Sequence, residues 1–273
     1  MLRLGTAALR ECLKALPPRQ ASPGLILSQP ETSTTQPLDG PLFLQRLALQ
    51  VGGGFDVKRS DASHRGRAGG LTAIGQAAEM IRTGQTQFVL AGGIDTYRDL
   101  YVLGTLDMEQ RVKSASNLDG FIPGEGAAFL LFGRADAGAV PLAAVSQVTQ
   151  ASESGHLYSD EPHRGDGLAT AVQQLVQSGA AVGPIQEVYS SMNGENHWAK
   201  EWGVAFIRNS GAFLPKHGMH HPADCFGDTG AACGPLMVGL ASLGIKQGYR
   251  RTPALVYGSS DRGQRAAAVV KAA

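Results

Sequence analysis

Short apolar runs of strand length alternate with helix-period segments along almost the whole chain, and this alternation restricts the fold more than any other feature. The runs at 25–28, 88–91, 127–132, 143–148, 187–191, 254–257 and 266–270 each suit a buried strand. Leu9, Cys12, Leu13 and Leu16 stand at i, i+3, i+4 and i+7 and predict a helix ended by Pro17 and Pro18. Further helices are predicted over 42–51, broken by Gly52 to Gly54, and over 68–82, burying Leu71, Ile74, Ala78 and Ile81. Others are predicted over 167–177, around Trp198 and Trp202, and over 229–243. Residues 56–63 read as a strand, 66–70 as a Gly-rich strand-to-helix turn, 29–40 as a loop, and the stretch after Gly93 as irregular. Strand–helix alternation predicts a layered α/β fold with two similar halves, 1–138 and 139–273, joined near 134–142.

Composition narrows the class. The chain has 273 residues with 43% hydrophobic and 17% charged, which excludes a disordered chain. Its formal net charge of +1 lacks the basic footprint of a nucleic-acid binder. Glycine, at 36 residues, is about twice the usual ~7%. Aromatics, at 6%, are too sparse for an aromatic-cored sandwich. Three cysteines (Cys12, Cys225, Cys233) make no disulfide framework and point to a reducing compartment. No run reaches membrane-span length, and Arg3, Arg10 and Glu11 interrupt the start, so a soluble cytoplasmic protein is expected.

Three places carry candidate chemistry. The Gly-rich turn places Arg67 at its apex, where an anion or a reacting group would meet helix N–H groups; the alternative is glycine for close helix–sheet packing. The segment 191–197 ends a strand before a helix: Asn193 is a hydrogen-bond donor, and Glu195 or His197 a proton carrier. Helix capping explains the same residues. His217, His220, His221 and Cys225 are weak metal candidates, because their spacing matches no established zinc pattern. Ser63 beside His64 is a poor nucleophile–base pair, since adjacent strand residues face opposite ways. No cofactor is indicated.

The segments 73–97 (AIGQAAEMIRTGQTQFVLAGGIDTY), 117–132 (NLDGFIPGEGAAFLLF) and 225–242 (CFGDTGAACGPLMVGLAS) resemble the β-ketoacyl-acyl-carrier-protein synthases of the thiolase-like superfamily. The resemblance runs from about residue 40 to the C-terminus. It implies a layered α-β-α-β-α fold, a dimer, and decarboxylative condensation through a cysteine thioester and two histidines. It also implies that the first half is incomplete, lacking roughly 60–90 residues of a domain of ordinary size.

The residues that would condense are replaced. The nucleophile position, seven before Ile74, holds Arg67. The first histidine position holds Asn193, the second Gly227, and the family's lysine position Pro222. The gating loop becomes 258–263, with Asp261 in it. Without the thiolate there is no covalent intermediate. The chain resembles a divergent synthase-like subgroup that lacks the Cys-His-His residues. Arg67, Asn193, Glu195, Asp228 and Asp261 are expected to converge as a polar pocket. The resulting expectation is a protein that binds an acyl thioester or acyl carrier protein without condensing it, as a partner of an active synthase. An acyltransferase with altered acid/base chemistry through Glu195, His197 or Asp228 is the first alternative, and a structural or metal-binding protein the second. A homodimer, or a heterodimer with an active synthase, is expected to form on the polar strand 56–63 and the helix after it. Gly66, Gly69 and Gly70 are expected to admit the partner's backbone.

Overall fold

In the computed structural model, which describes residues 1–32 and 38–273, the chain forms two sheets with helices outside and between them. The first half runs α1 (Leu2–Leu13), β1 (Gly24–Gln29), α2 (Gly40–Val51), β2 (Asp61–His64), α3 (Gly66–Arg82), β3 (Phe88–Thr96), α4 (Leu100–Met108) and β4 (Glu125–Gly133). The second runs β5 (Ala144–Ser152), α5 (Asp166–Gln177), β6 (Ile185–Ser190), α6 (Asn196–Arg208), β7 (Phe213–His220), α7 (Ala223–Phe226), α8 (Cys233–Lys246), β8 (Ala254–Ser259) and β9 (Gln264–Lys271). The loop expected at 29–40 falls partly on 33–37, outside the described residues.

The sheet orders are β2-β1-β3-β4 and β5-β9-β8-β6-β7. In the first, β1 runs parallel to β2 and β3, while β4 is antiparallel to β3. In the second, β6 runs parallel to β7 and β8, while β9 is antiparallel to β8. The same four-strand pattern therefore occurs twice, and β5 extends the second copy antiparallel to β9.

Side-chain alternation along the strands explains the layers. In β1, Leu25 and Leu27 face α1 and α2 with Leu9, Phe43 and Leu47, while Ile26 faces the centre. In β8, Leu255 and Tyr257 face α5 and α6, while Ala254 and Val256 face the centre. Strands covered on both faces need continuous apolar runs, which is what the sequence displays. The central layer is α3 and α8; Leu71, Ile74 and Met237 are fully buried there, each contributing roughly 1.5–3 kcal/mol by the removal of its side chain from water. The architecture is α-β-α-β-α, the thiolase-like fold. Among the described residues no helix is long and apolar enough to cross a membrane.

Several expectations need correction. The strand proposed for 56–63 is a 3-10 turn at Val57–Arg59, with Asp56 accepting from the Lys58 N–H at 2.9 Å, followed by the four-residue β2. The Gly-rich turn is already the first turn of α3, which begins two residues early. Gly69 and Gly70 are not open to a partner's backbone. A Cβ on Gly69 would sit 2.1 Å from Ser28 Oγ, and one on Gly70 2.2 Å from Pro235 Cδ. The strand expected to end at Ala91 continues through Gly92 and Gly93 to Thr96, because those glycines admit the backbones of Ala128 and Ala231. Three elements go unrecognised in the sequence: α4, apolar on all sides and so without helical periodicity; α7, at four residues too short to show a period; and the edge strand β7, half-polar and broken by Pro215 and Gly218.

Candidate functional site

The carboxyl ends of the parallel strands meet in one place, where layered α/β proteins hold their ligands. Following β2, Gly66 adopts φ +58° and turns the chain into α3, leaving Arg67 in the first helical turn. A cation there opposes the helix dipole and must be offset by anions. They come from other elements: Asp228 follows α7, Asp261 follows β8, and Glu195 lies between β6 and α6.

Arg67 Nε donates to Asp228 Oδ2 at 2.7 Å, and Arg67 Nη1 to Asp261 Oδ1 at 2.6 Å. Its guanidinium also lies 5.1 Å from the centre of the Trp198 ring. Arg111 supplies a second cation: Nε and Nη2 grip Glu195 at 2.7 and 2.9 Å, and Nη1 reaches Asp261 Oδ2 at 2.7 Å. The Asn193 amide donates to both Glu195 Oε2 (3.1 Å) and Asp228 Oδ2 (2.8 Å). Trp198 Nε1 donates to Glu195 Oε2 at 2.9 Å, and the Gly230 N–H to Asp228 Oδ1 at 2.8 Å. All six polar residues are buried, Arg67 and Asp228 at 2% exposure each.

The loop at 258–263 is tied to α3. Ser260 Oγ accepts from the Ala68 N–H at 3.0 Å, and Glu31 accepts from the backbone N–H groups of Asp261 and Arg262 at 3.0 Å each. Burial raises the carboxyl pKa of Asp261, but Arg67 and Arg111 override it and hold Asp261 well below the usual range. Glu195 is likewise held low against burial, chiefly by its hydrogen bonds from Arg111. Burial, reinforced by the charge of Asp261, pushes Glu31 up to about 7. Asp95, buried beneath the network, is also pushed up to about 7 by burial, against N–H donation from Ala231 and Thr96. The site is a closed cage of two guanidinium groups and three carboxylates. None of its six polar side chains lines either of two cavities elsewhere on the chain, one near Gln85 and Arg134 and one beside His163 and His197.

Of the residues singled out in the sequence, Arg67, Asn193, Glu195, Asp228 and Asp261 share this cage. His197 does not: its ring stacks on His163 at 3.9 Å, and burial together with His163 lowers its pKa to about 4. The four weak metal candidates each go separate ways. His217 Nδ1 sits 2.9 Å from the Leu214 carbonyl, His220 pairs with Glu187 at 2.8 Å, His221 contacts Ser190 at 2.7 Å, and Cys225 is exposed. Arg111 is the member that sequence reading missed. The signal was a charge count: three acids converging on one arginine require a second buried cation, and the stretch 97–126 holds it. No cysteine lies in the cage. Cys233, on α8, is buried and its pKa is pushed up to about 12, as burial does to Cys12.

Residues 66–137 match the model of the β-ketoacyl synthase N-terminal domain. Solved structures share the fold at low identity. One is AntDE:AntF, a type II polyketide synthase acyl-carrier protein in complex with its ketosynthase bound to the hexaketide (17% identity, TM-score 0.73, 85% of this chain and 66% of that one). A second is the ishigamide ketosynthase/chain length factor (16%, TM-score 0.73, 100% and 83%). A third is the ketosynthase from module 6 of the bacillaene synthase of Bacillus subtilis (13%, TM-score 0.79, 100% and 57%). The chain thus spans about two thirds of the first relative's length and just over half of the third's. No curated protein sequence matches the chain significantly.

Proposed function

We propose that this chain, ketosynthase-like in fold and with a salt-bridged cage for a site, is a non-condensing ketosynthase-type subunit, with halves 1–138 and 139–273, that binds an acyl carrier protein or its acyl thioester and acts beside an active synthase. The observation that carries this reading is Arg67. At the position where the resemblance requires a thiolate, a guanidinium is clamped between Asp228 and Asp261 at 2.7 and 2.6 Å. An arginine cannot form a thioester, and the carboxylates around it would oppose the developing enolate of a condensation. Asn193 and Gly227 stand where the resemblance places histidines.

Glu195 is a weak acid/base candidate: held ionised, it has no proton to give as a general acid, and its two oxygens, engaged by Arg111, Asn193 and Trp198, are not free to take one as a base.

A partner interface is supported by the edge of the first sheet. β2 pairs with β1 on one side only. Its sequence, Asp-Ala-Ser-His, is too polar for a strand covered on both faces. Elsewhere in the same half, α4 exposes Leu100, Tyr101 and Met108, at 89%, 66% and 85%, apolar surface that a partner would cover. The test is affinity capture of the purified chain on an immobilised acyl-loaded type II carrier protein, with light scattering of the chain alone and mixed with a ketosynthase encoded beside it. Retention on the carrier and a mass above 28.5 kDa are expected. No retention, with a mass fixed at 28.5 kDa in every mixture, would contradict the reading.

A further inference from the structure

Outside the cage, where β5 ends, a second set of polar side chains meets. Glu153, His163 and Glu201 each offer one ligand atom, and the three atoms lie within 4.8 Å of one another. Glu153 and Glu201 are each 1% exposed, and His163 is half-buried. Glu153 Oε2 accepts from the Gly167 N–H at 2.7 Å, but Glu153 Oε1 is buried without any partner. A buried carboxylate oxygen without a donor calls for a ligand or a water.

The His163–Glu201 separation points to a metal. His163 Nε2 lies 3.4 Å from Glu201 Oε1, too long for a charge-assisted hydrogen bond of ~2.7–2.9 Å. Two donors bound tetrahedrally to a zinc ion at ~2.0–2.1 Å would stand roughly 3.3 Å apart. The stacked His197 ring, 7° from parallel, fixes the plane of the His163 imidazole. Glu201 Oε1, the oxygen nearest His163, also accepts from Arg265 Nε at 2.6 Å, which leaves it a second lone pair for a metal, and Oε2 accepts from the Ser259 hydroxyl; both bonds fix the carboxylate as hydrogen bonds fix metal-binding carboxylates. Glu153, Glu201 and Arg265 together carry one net negative charge, which a divalent cation outweighs. A cavity of about 400 Å³, lined by His163, His197, Lys200 and Glu201, gives the cluster a way in from solvent.

We propose that Glu153, His163 and Glu201 bind a divalent transition-metal cation, zinc being the ion best suited to a mixed carboxylate–imidazole set, with an open coordination position facing this cavity. Three protein ligands plus an open position is the pattern of a reactive zinc site. The proposal stands apart from the carrier-protein reading, since it uses none of the cage residues.

The test is calorimetric titration of the chelator-treated full chain with Zn2+, and visible absorption with Co2+. One equivalent should bind, with the intense d–d bands of a low-coordinate cobalt site. His163→Asn and Glu153→Gln should each weaken binding by at least the roughly 10–100-fold that loss of an outer-shell partner costs. A His217→Asn, His221→Asn double variant should bind as the unmodified chain does. Thermal midpoints without metal show whether the variants fold; if Glu153→Gln does not, the half-buried His163→Asn decides. Absence of micromolar Zn2+ binding would overturn the proposal. So would binding that survives His163→Asn, or that is lost in the His217/His221 variant.

Discussion

Replacing Arg67 with alanine removes the cation that separates Asp228 from Asp261. Both carboxylates stay buried, and Asp228 keeps only the Gly230 N–H and the Asn193 amide as partners. Asp261 keeps Arg111. Among the cage residues two cations face three anions, so the variant leaves one cation against three anions. Breaking a buried pair by deleting one partner costs about 3–5 kcal/mol, because the other charge is left without compensation. The lost guanidinium–Trp198 contact adds roughly 0.5–2 kcal/mol. At about 2–4 °C per kcal/mol for a chain of this size, the ion-pair loss alone lowers the thermal midpoint by roughly 6–20 °C. The assay is urea unfolding at pH 7 followed by circular dichroism, with Arg67→Ala and Asp228→Asn measured singly and together. The double variant should recover part of the loss, with a coupling energy of about 0.5–3 kcal/mol. Arg67→Ala within about 0.5 kcal/mol of the parent, the range of ordinary surface substitutions, would refute the cage as a structural unit.

Other outcomes follow from the same geometry. Arg111→Met should destabilise by about 3–5 kcal/mol, and adding Glu195→Gln should restore part of it, read by the same urea unfolding. Glu31 carries a folded-state pKa of about 7 against an ordinary 4.5, so its neutral form favours the folded state; stability present at low pH is lost as pH rises from about 4.5 through about 7. Glu31→Gln should therefore reduce the fall in urea midpoint between those pH values without abolishing it, because Asp95 titrates over the same range; an unchanged slope would show that Glu31 contributes nothing to it. Arg67→Cys, which places a thiol where the resemblance expects one, should form no ketoacyl product from acyl and malonyl carrier protein, because Asn193 and Gly227 stand where the resemblance places histidines; product release would refute this.

The layered fold was legible wherever a strand is covered on both faces, because continuous apolar runs such as 88–91 and 254–257 have few other uses. It was illegible at α4, whose apolar residues surround the helix, and at β7, an edge strand with a half-polar pattern. The five cage residues were named because their positions in the resemblance were filled by polar groups. Arg111 escaped notice because it lies in a stretch without periodicity and pairs with Glu195 and Asp261, 84 and 150 residues away. His163 and Glu153 escaped for the same reason: their meeting with Glu201 depends on the loop between β5 and α5, whose path no local pattern encodes. The glycines of α3 are visible in the sequence but their neighbours are not, since close approach to Ser28 and Pro235 within one chain looks the same in sequence as approach to a partner.

With Arg67 in place of a thiol, a ketosynthase-like fold is expected to carry out no condensation. Intact-protein mass spectrometry after incubation with an acyl thioester and malonyl carrier protein decides the point. An unmodified mass and no ketoacyl product are expected from the chain alone. A stoichiometric acyl adduct, or a condensation product formed without any other synthase, would contradict that expectation.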